Sequence, residues 1–243
     1  MSDFLNGIVE GFSKTFIDQD RWKQFLEGLE VTIGITILAA ILGIVLGFLI
    51  AIVRSTYDMN LKGKKCKRFS DYVLKFLNFI CNLYITVVRG TPTVVQLMIM
   101  YYIIFASFSN GFIPAFIAFG INSGAYVAEI VRSGIMSIDK GQFEASRSLG
   151  FDYKRTMWHV VIPQAFKNIL PALGNEFIVL VKETSIAGYV ALTDITKVGD
   201  IIQGATYDPF FPLISVALIY LVIVLILSYF LKKLERRLRN SDH

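Results

Sequence analysis

The sequence is poor in the residue types from which catalytic and metal sites are built. Its 243 residues include two histidines, His159 and His243, too far apart in the chain to suggest a metal site. The two cysteines, Cys66 and Cys81, lack metal or redox spacing and read as free, reduced thiols. No Gly-x4-Gly-Lys-Ser/Thr phosphate loop is present, which removes the usual route to ATP binding. Neither a His-Glu-x-x-His pair nor a serine-nucleophile motif occurs. No catalytic residue, metal ligand or resident cofactor is therefore expected in this chain. Charged residues are also scarce, at 18%, against roughly 25% in an ordinary globular domain.

Apolar residues fill the space, at 54% of the chain. A membrane-crossing helix needs about 20 mostly apolar residues, and 31–53 and 213–231 meet that requirement. The first long run begins near Val31 with no preceding basic region or small-residue cleavage site, which argues against a removable signal peptide. Ala39, Gly43, Gly47 and Ala51 recur at intervals of four along it, a stripe that lets another helix approach closely, within the same subunit or across a dimer. Upstream, residues 1–28 carry Phe4, Leu5, Ile8, Val9, Phe12 and Phe16 at helical spacing, as an interfacial amphipathic segment does. After the first span and a basic loop to about residue 70, an amphipathic or partly inserted segment leads to Arg89-Gly90-Thr91-Pro92. Proline disfavours helix at Thr91 and suits the first turn of a new one, so the chain is expected to break there.

The expected fold is all-α and integral to the membrane, with five spans at about 31–53, 92–109, 112–134, 169–190 and 213–231. Together these make one transmembrane unit over 29–232, with a basic tail at 233–243. Asn110-Gly111 marks a turn, and 136–168 is too polar to span. The net charge of +5 does not point to nucleic acid. Arg54, Lys62, Lys64, Lys65, Lys67 and Arg68 follow one apolar run, and Lys232, Lys233, Arg236, Arg237 and Arg239 follow another, as cytoplasmic flanks do under the positive-inside rule. Five spans then set the amino terminus outside, the carboxyl terminus inside and the 136–168 loop in the cytoplasm.

That loop reads as two short helices. Gly141 to Leu149 ends at Gly150, which tolerates the left-handed conformation of a helix terminus, and 152–161 follows with Asp152 as its N-cap and Pro163 near its end. Glu144-Ala145-Ser146-x3-Gly150-x9-Val160-x-Ile162-Pro163 resembles the EAA loop of permease subunits in binding-protein-dependent ABC importers of type I. Ser146 stands for the second alanine, Val160 for isoleucine and Ile162 for leucine. Arg89-Gly90-Thr91-Pro92, Tyr126-Val127-Ala128-Glu129, Ser148-Leu149-Gly150-Phe151, Pro163-Gln164-Ala165 and Lys182-Glu183-Thr184-Ser185 are similar to the polar amino acid uptake subfamily. The resemblance covers most of 30–230.

It implies a transport subunit of the bacterial cytoplasmic (inner) membrane in which Glu144, Ala145, Ser146, Leu149 and Gly150 form a coupling helix. It also implies the partners: a second permease chain (identical or paralogous), two ATPases that bind ATP and Mg, and an extracellular or periplasmic substrate-binding protein. The cargo would be a polar amino acid such as arginine, histidine, glutamine or cystine.

Ionisable residues inside a span normally face a cavity or another polar group. Asn122, Tyr126 and Glu129 share one helical face by spacing. Glu129 fits two roles: balancing a substrate cation, or pairing with Arg132 or Arg89 to fix the helices. Lys182, Glu183 and Thr184 lie roughly 20 Å along the fourth span, where they would line the path or form an internal Lys–Glu pair. A secondary transporter or channel working through Glu129, Lys182 and Glu183 without an ATPase is the competing reading. Such proteins often carry an internal repeat, and no convincing repeat is present.

Overall fold

The computed structural model describes residues 2–108 and 110–240; of Ser2, Asp3, Phe4, Leu5, Ile8, Arg239 and Asn240 it describes the backbone alone. The amphipathic expectation at Phe4, Leu5 and Ile8, the tail cation Arg239 and His243 thus fall, as side chains, outside the described residues. Among these residues all regular structure is helical: α1 Ser2–Phe12, α2 Arg21–Asn60, α3 Phe69–Gly90, α4 Thr93–Ile99, α5 Phe112–Met136, α6 Lys140–Ser148, α7 Tyr153–Thr156, α8 Ile162–Glu183, α9 Ile195–Thr206 and α10 Phe210–Asn240.

Four stretches are long and apolar enough to cross a membrane: Val9–Asn60, Phe69–Gly90, Phe112–Met136 and Phe210–Leu238. This differs from the expected spans in instructive ways. Phe69–Gly90, expected as an amphipathic or partly inserted segment, is a full 22-residue helix, and it is long and apolar enough to cross although Lys75, Asn78 and Asn82 dilute its middle. The expected span at 92–109 is instead short, α4 extended by a π-turn at Met100–Ile104. The break between them falls where proline dictates, with Thr91 extended at φ −120°, ψ 146°. Helix α8 starts at Ile162 and has the length of a span, but Asn175, Glu176, Lys182 and Glu183 lower its apolarity. Residues 184–190 form a 3-10 turn beyond it.

At the amino end, 1–28 is not one segment. A π-turn at Ser13–Ile17 and a tight turn at Asp18–Asp20 separate α1 from α2, with Gln19 and Asp20 at φ 55°. The Arg21 side chain holds that turn by donating to the Lys14 carbonyl and to Gln19 Oε1. At the other end, the basic tail to Asn240 continues α10 without a break.

Two compact units divide the chain. One comprises Met1–Ala39, Thr93–Phe119 and Ile178–Tyr229; the other comprises Ala40–Pro92, Gly120–Phe177 and Phe230–His243. In the first, Phe25, Ile195, Val198, Ile202 and Val216 form a buried core. Asp194 caps α9 by accepting from the Thr196 and Lys197 amides at 3.0 and 3.1 Å. It is buried beside Tyr220, while the Ile195 amide donates to Thr32 Oγ1 at 3.3 Å. Burial pushes the Asp194 carboxyl above the ordinary carboxylate value, the capping amides only partly opposing it.

In the second unit the small-residue stripe does what its spacing suggests, within the subunit. Gly43 faces Ser123 and Gly124, and Gly47 faces Val127 and Ala128, so α2 and α5 approach at backbone distance. Helix α5 is 61% buried over its most apolar window, against 11% for α3 and 17% for α10. The last two therefore leave most of their surface for lipid or a partner.

Two outcomes follow from this packing. A Cβ at Gly47 would meet the Val127 side chain and lie 2.9 Å from the Ala128 nitrogen. Gly47→Leu is expected to lower thermal stability of the purified chain by about 1–3 kcal/mol, whereas Gly7→Ala, with nothing within 4 Å, should not. A stable Gly47→Leu chain would refute the close approach. Because the Asp194 carboxyl is raised in the folded state, the folded protein holds the proton more tightly. Its contribution is present at acidic pH and lost as pH rises through that raised value. Asp194→Asn keeps one of the two capping acceptors, removes the titrating group and should flatten this decline in thermal melts across that pH range; an unchanged slope would count against it.

Candidate functional site

The polar loop after α5 is a rigid corner. Asp139 starts it, its Oδ1 accepting the Gly141 amide at 2.6 Å. At the far end of α6, Leu149 is the cap, the Gly150 amide donates to the Arg147 carbonyl at 2.9 Å and the Phe151 amide to Ser146 at 3.1 Å. These two bonds together form a Schellman motif, which needs a left-handed residue after the cap. Gly150 supplies it at φ 84°. Asp152 then caps α7, accepting the Arg155 amide at 2.7 Å. The second helix does not end near Pro163. A π-turn at Met157–Val161 leads directly into α8, giving unbroken helical backbone from Tyr153 to Glu183; such a turn is one way a helix accommodates an irregular hydrogen bond.

The motif residues divide by face. Glu144, Ala145, Leu149 and Gly150 are exposed, Leu149 at 79%. Ser146 turns inward, 5% exposed, with its hydroxyl on the Gln142 carbonyl at 2.6 Å. It seats α6 and presents no docking surface. Behind it a buried cluster joins Ala51 of α2, Val127, Val131 and Ile135 of α5, and Val161, Ala165 and Ile169 of the α8 segment, with Phe143 of α6 packed against it. The corner is thus fastened to the helices that it follows.

The end of α2 reaches the same place. The Arg132 guanidinium holds Asp58 with two bonds, Nε at 2.6 Å and a terminal nitrogen at 2.5 Å. Asp58 is 8% exposed and also lies 3.9 Å from Lys62. Tyr153 hydroxyl reaches Met59 Sδ at 3.7 Å. A cavity of about 500 Å³ lies among Asp58, Lys62, Lys140, Glu144, Arg147 and Tyr153.

Further along α5, Tyr126 and Glu129 meet Arg89 of α3, while Asn122 is buried at 2% exposure. Arg89 forms an ion pair with Glu129 and sets its guanidinium 4.9 Å from the Tyr126 ring centre. Of the two arginines considered for Glu129, Arg89 is the partner, Arg132 being held by Asp58. The pair is open to solvent, at 39% and 37% exposure, so Glu129 keeps oxygen capacity for another donor. Ser123 Oγ donates to Glu176 Oε1 at 2.8 Å, adding a second carboxylate that the sequence marked only as a reason for weak hydropathy. The Tyr84 hydroxyl donates to the Ile121 carbonyl. Lys182, Glu183 and Thr184 belong to the other compact unit. There Lys182 is exposed, Glu183 is half-buried and the buried Thr184 hydroxyl closes on the Val181 carbonyl at 2.7 Å. No group of three or more candidate metal ligands occurs among the described residues.

The chain is similar to known proteins over most of its length. Residues 71–240 match the family described as binding-protein-dependent transport system inner membrane component. The arginine transport system permease protein ArtQ of Bacillus subtilis (strain 168) is 40% identical over 220 residues, 89% of this chain and 93% of the relative. A putative glutamine transport system permease protein GlnP of Rickettsia typhi is 39% identical over 217 residues, 88% and 92% of the two chains. A crystal structure of an amino acid ABC transporter with histidines superposes with a TM-score of 0.78 at 42% identity, covering 88% of this chain and 94% of the other.

The Schellman corner carries its own test. Alanine at Gly150 must adopt the left-handed conformation, at a cost of about 1–2 kcal/mol. Gly150→Ala should speed amide hydrogen exchange across 145–151 by roughly fivefold or more, and Gly150→Asn by less. Equal exchange in all three proteins would show that the corner does not depend on this residue.

Proposed function

The chain belongs to the family of inner membrane components of binding-protein-dependent transport systems, and from that premise we propose that it moves a polar amino acid by alternating access, driven by separate ATPases. It is a multi-pass membrane protein and the permease component of an ABC amino acid importer, a transport component in its own right. ATP and Mg belong to the partner ATPases, two per transporter, alongside a second permease chain and a substrate-binding protein on the outer side. The bacterial origin of its relatives fits the cytoplasmic (inner) membrane.

The observation that carries this reading is the corner at Glu144 to Gly150. It offers a carboxylate, a small residue and an exposed leucine on a fixed backbone, and Phe143 ties it to the core of α2, α5 and α8. A force applied by an ATPase at Glu144, Ala145, Leu149 and Gly150 would therefore reach the spans without being absorbed by a flexible loop; Ser146 contributes by seating α6 from inside. Switching needs a ligand with different affinity for two states, and the closing ATPase pair is that ligand.

The shared cavity supports the topology that we propose. Lys62, just past the end of α2, and Lys140 on α6 line it together, which fits an even number of crossings between them. Helix α5 is one, which supports a single crossing over 69–109, five in all, with the amino terminus outside and the carboxyl terminus inside. On the substrate path we set Asn122, Tyr126 and Glu129, with Arg89 beside them, and Lys182, Glu183 and Thr184. A zwitterion meeting the open Arg89–Glu129 pair finds a cation for its carboxylate and a carboxylate for its ammonium.

In the reconstituted transporter, Glu144→Gln and Leu149→Ala should each leave membrane insertion intact and cut both uptake and substrate-stimulated ATP hydrolysis about tenfold or more. Undiminished uptake in both variants would overturn the coupling assignment. Transport by the chain alone in vesicles would favour a secondary transporter or channel. Uptake of labelled arginine, histidine, glutamine and cystine with the cognate binding protein identifies the cargo.

A further inference from the structure

The cavity behind the coupling corner has the lining of an amphiphile site. Lys62, Lys140 and Arg147 bring three cations to it. Against them stand two carboxylates, Glu144 and Asp58, and Asp58 is already held by two bonds from Arg132. The positive charge is therefore in excess. The rest of the lining includes the apolar side chains Ile135, Ile138 and Phe143. The position is equally specific. The apolar stretches Val9–Asn60 and Phe112–Met136 both end at this cavity, so it lies at the polar end of both. The segment leading away from it holds Lys64, Lys65, Lys67 and Arg68 and then the exposed Phe69, Tyr72 and Phe76 of α3. A polybasic stretch next to a span, followed by exposed aromatic rings, suits a surface of anionic headgroups.

We propose that this cavity binds one anionic phospholipid of the coupling-side leaflet. Its phosphate is held by Lys62, Lys140 and Arg147, and its glycerol and upper acyl chain lie against Ile135, Ile138 and Phe143. A lipid seated there touches the tip of α2, the end of α5 and α6 at once, and so braces the corner against the spans. The inference does not depend on which substrate is transported.

Lipid retention by the purified transporter, read by native mass spectrometry, tests it. The wild type should hold one phosphatidylglycerol per permease chain more than Lys62→Gln/Lys140→Gln/Arg147→Gln, with retention weakened about fivefold for each cation removed. Phosphatidylcholine should not be held. Lys64→Gln/Lys65→Gln removes two cations of the same basic stretch outside the cavity and should retain phosphatidylglycerol like the wild type. Should the triple variant not fold, Lys62→Gln and Lys140→Gln, both at exposed positions, carry the comparison singly. Equal retention by wild type and cavity variants, or the same loss in Lys64→Gln/Lys65→Gln, overturns the site in favour of diffuse attraction. Inorganic phosphate raising the melting temperature as far as phosphatidylglycerol does would make it a free-anion site and equally overturn the lipid.

Discussion

Everything mechanical in this chain depends on one apolar contact: the cluster in which Ala51, Val127, Val131, Ile135, Val161, Ala165 and Ile169 exclude water from one another and receive Phe143. It is made from residues of two membrane helices, the run into α8 and the first helix of the corner. Without it the motif would be an amphipathic hairpin on a tether. With it, the polar surface of the corner becomes one face of a packed body, and Glu144 and Leu149 hold fixed positions relative to α2 and α5. The close approach at Gly43 and Gly47 serves the same end, since helices in backbone contact slide past each other less freely than helices separated by long side chains.

The charged groups follow a complementary logic. Asp58 with Arg132 and Glu129 with Arg89 both link α5 to a neighbouring helix, yet they differ in exposure. The first is nearly sealed and reads as a brace. The second is open to solvent and stacked on Tyr126, which leaves both of its charges within reach of other groups. Buried ion pairs are weak evidence for stability, and the contrast in access separates the two roles better than their presence does.

Much of the corner was legible in the sequence because its determinants are local. Gly150 and Asp152 specify a helix end and a helix start whatever surrounds them, and the spacing from Glu144 to Pro163 lies within one short segment. The inward turn of Ser146 was not legible, because it depends on which face of α6 meets the cluster. Nor was the continuity of helix through Pro163, which rests on a π-turn that leaves no composition signal. Helix α3 escaped a hydropathy reading because three polar residues interrupt it, although they do not shorten the helix. The partner of Glu129 remained open between two arginines until the fold assigned Arg132 to Asp58, a residue at the edge of a basic loop with nothing nearby to mark it. Asp194 went unnoticed for a related reason: an acidic residue before a helix is common, and only the fold makes it a buried one.

The unbroken helical backbone from Tyr153 to Glu183 has a further consequence. Between Tyr153 at the corner and Glu176 beside Ser123 it covers about 35 Å at 1.5 Å per residue, and it holds two places where a helix bends, the π-turn at Met157–Val161 and Pro171. Ala165 and Ile169 lie between those places and are gripped by the cluster shared with α5. A bend at either place therefore redirects one end, the corner or the Glu176 carboxylate, while the middle of the helix stays seated.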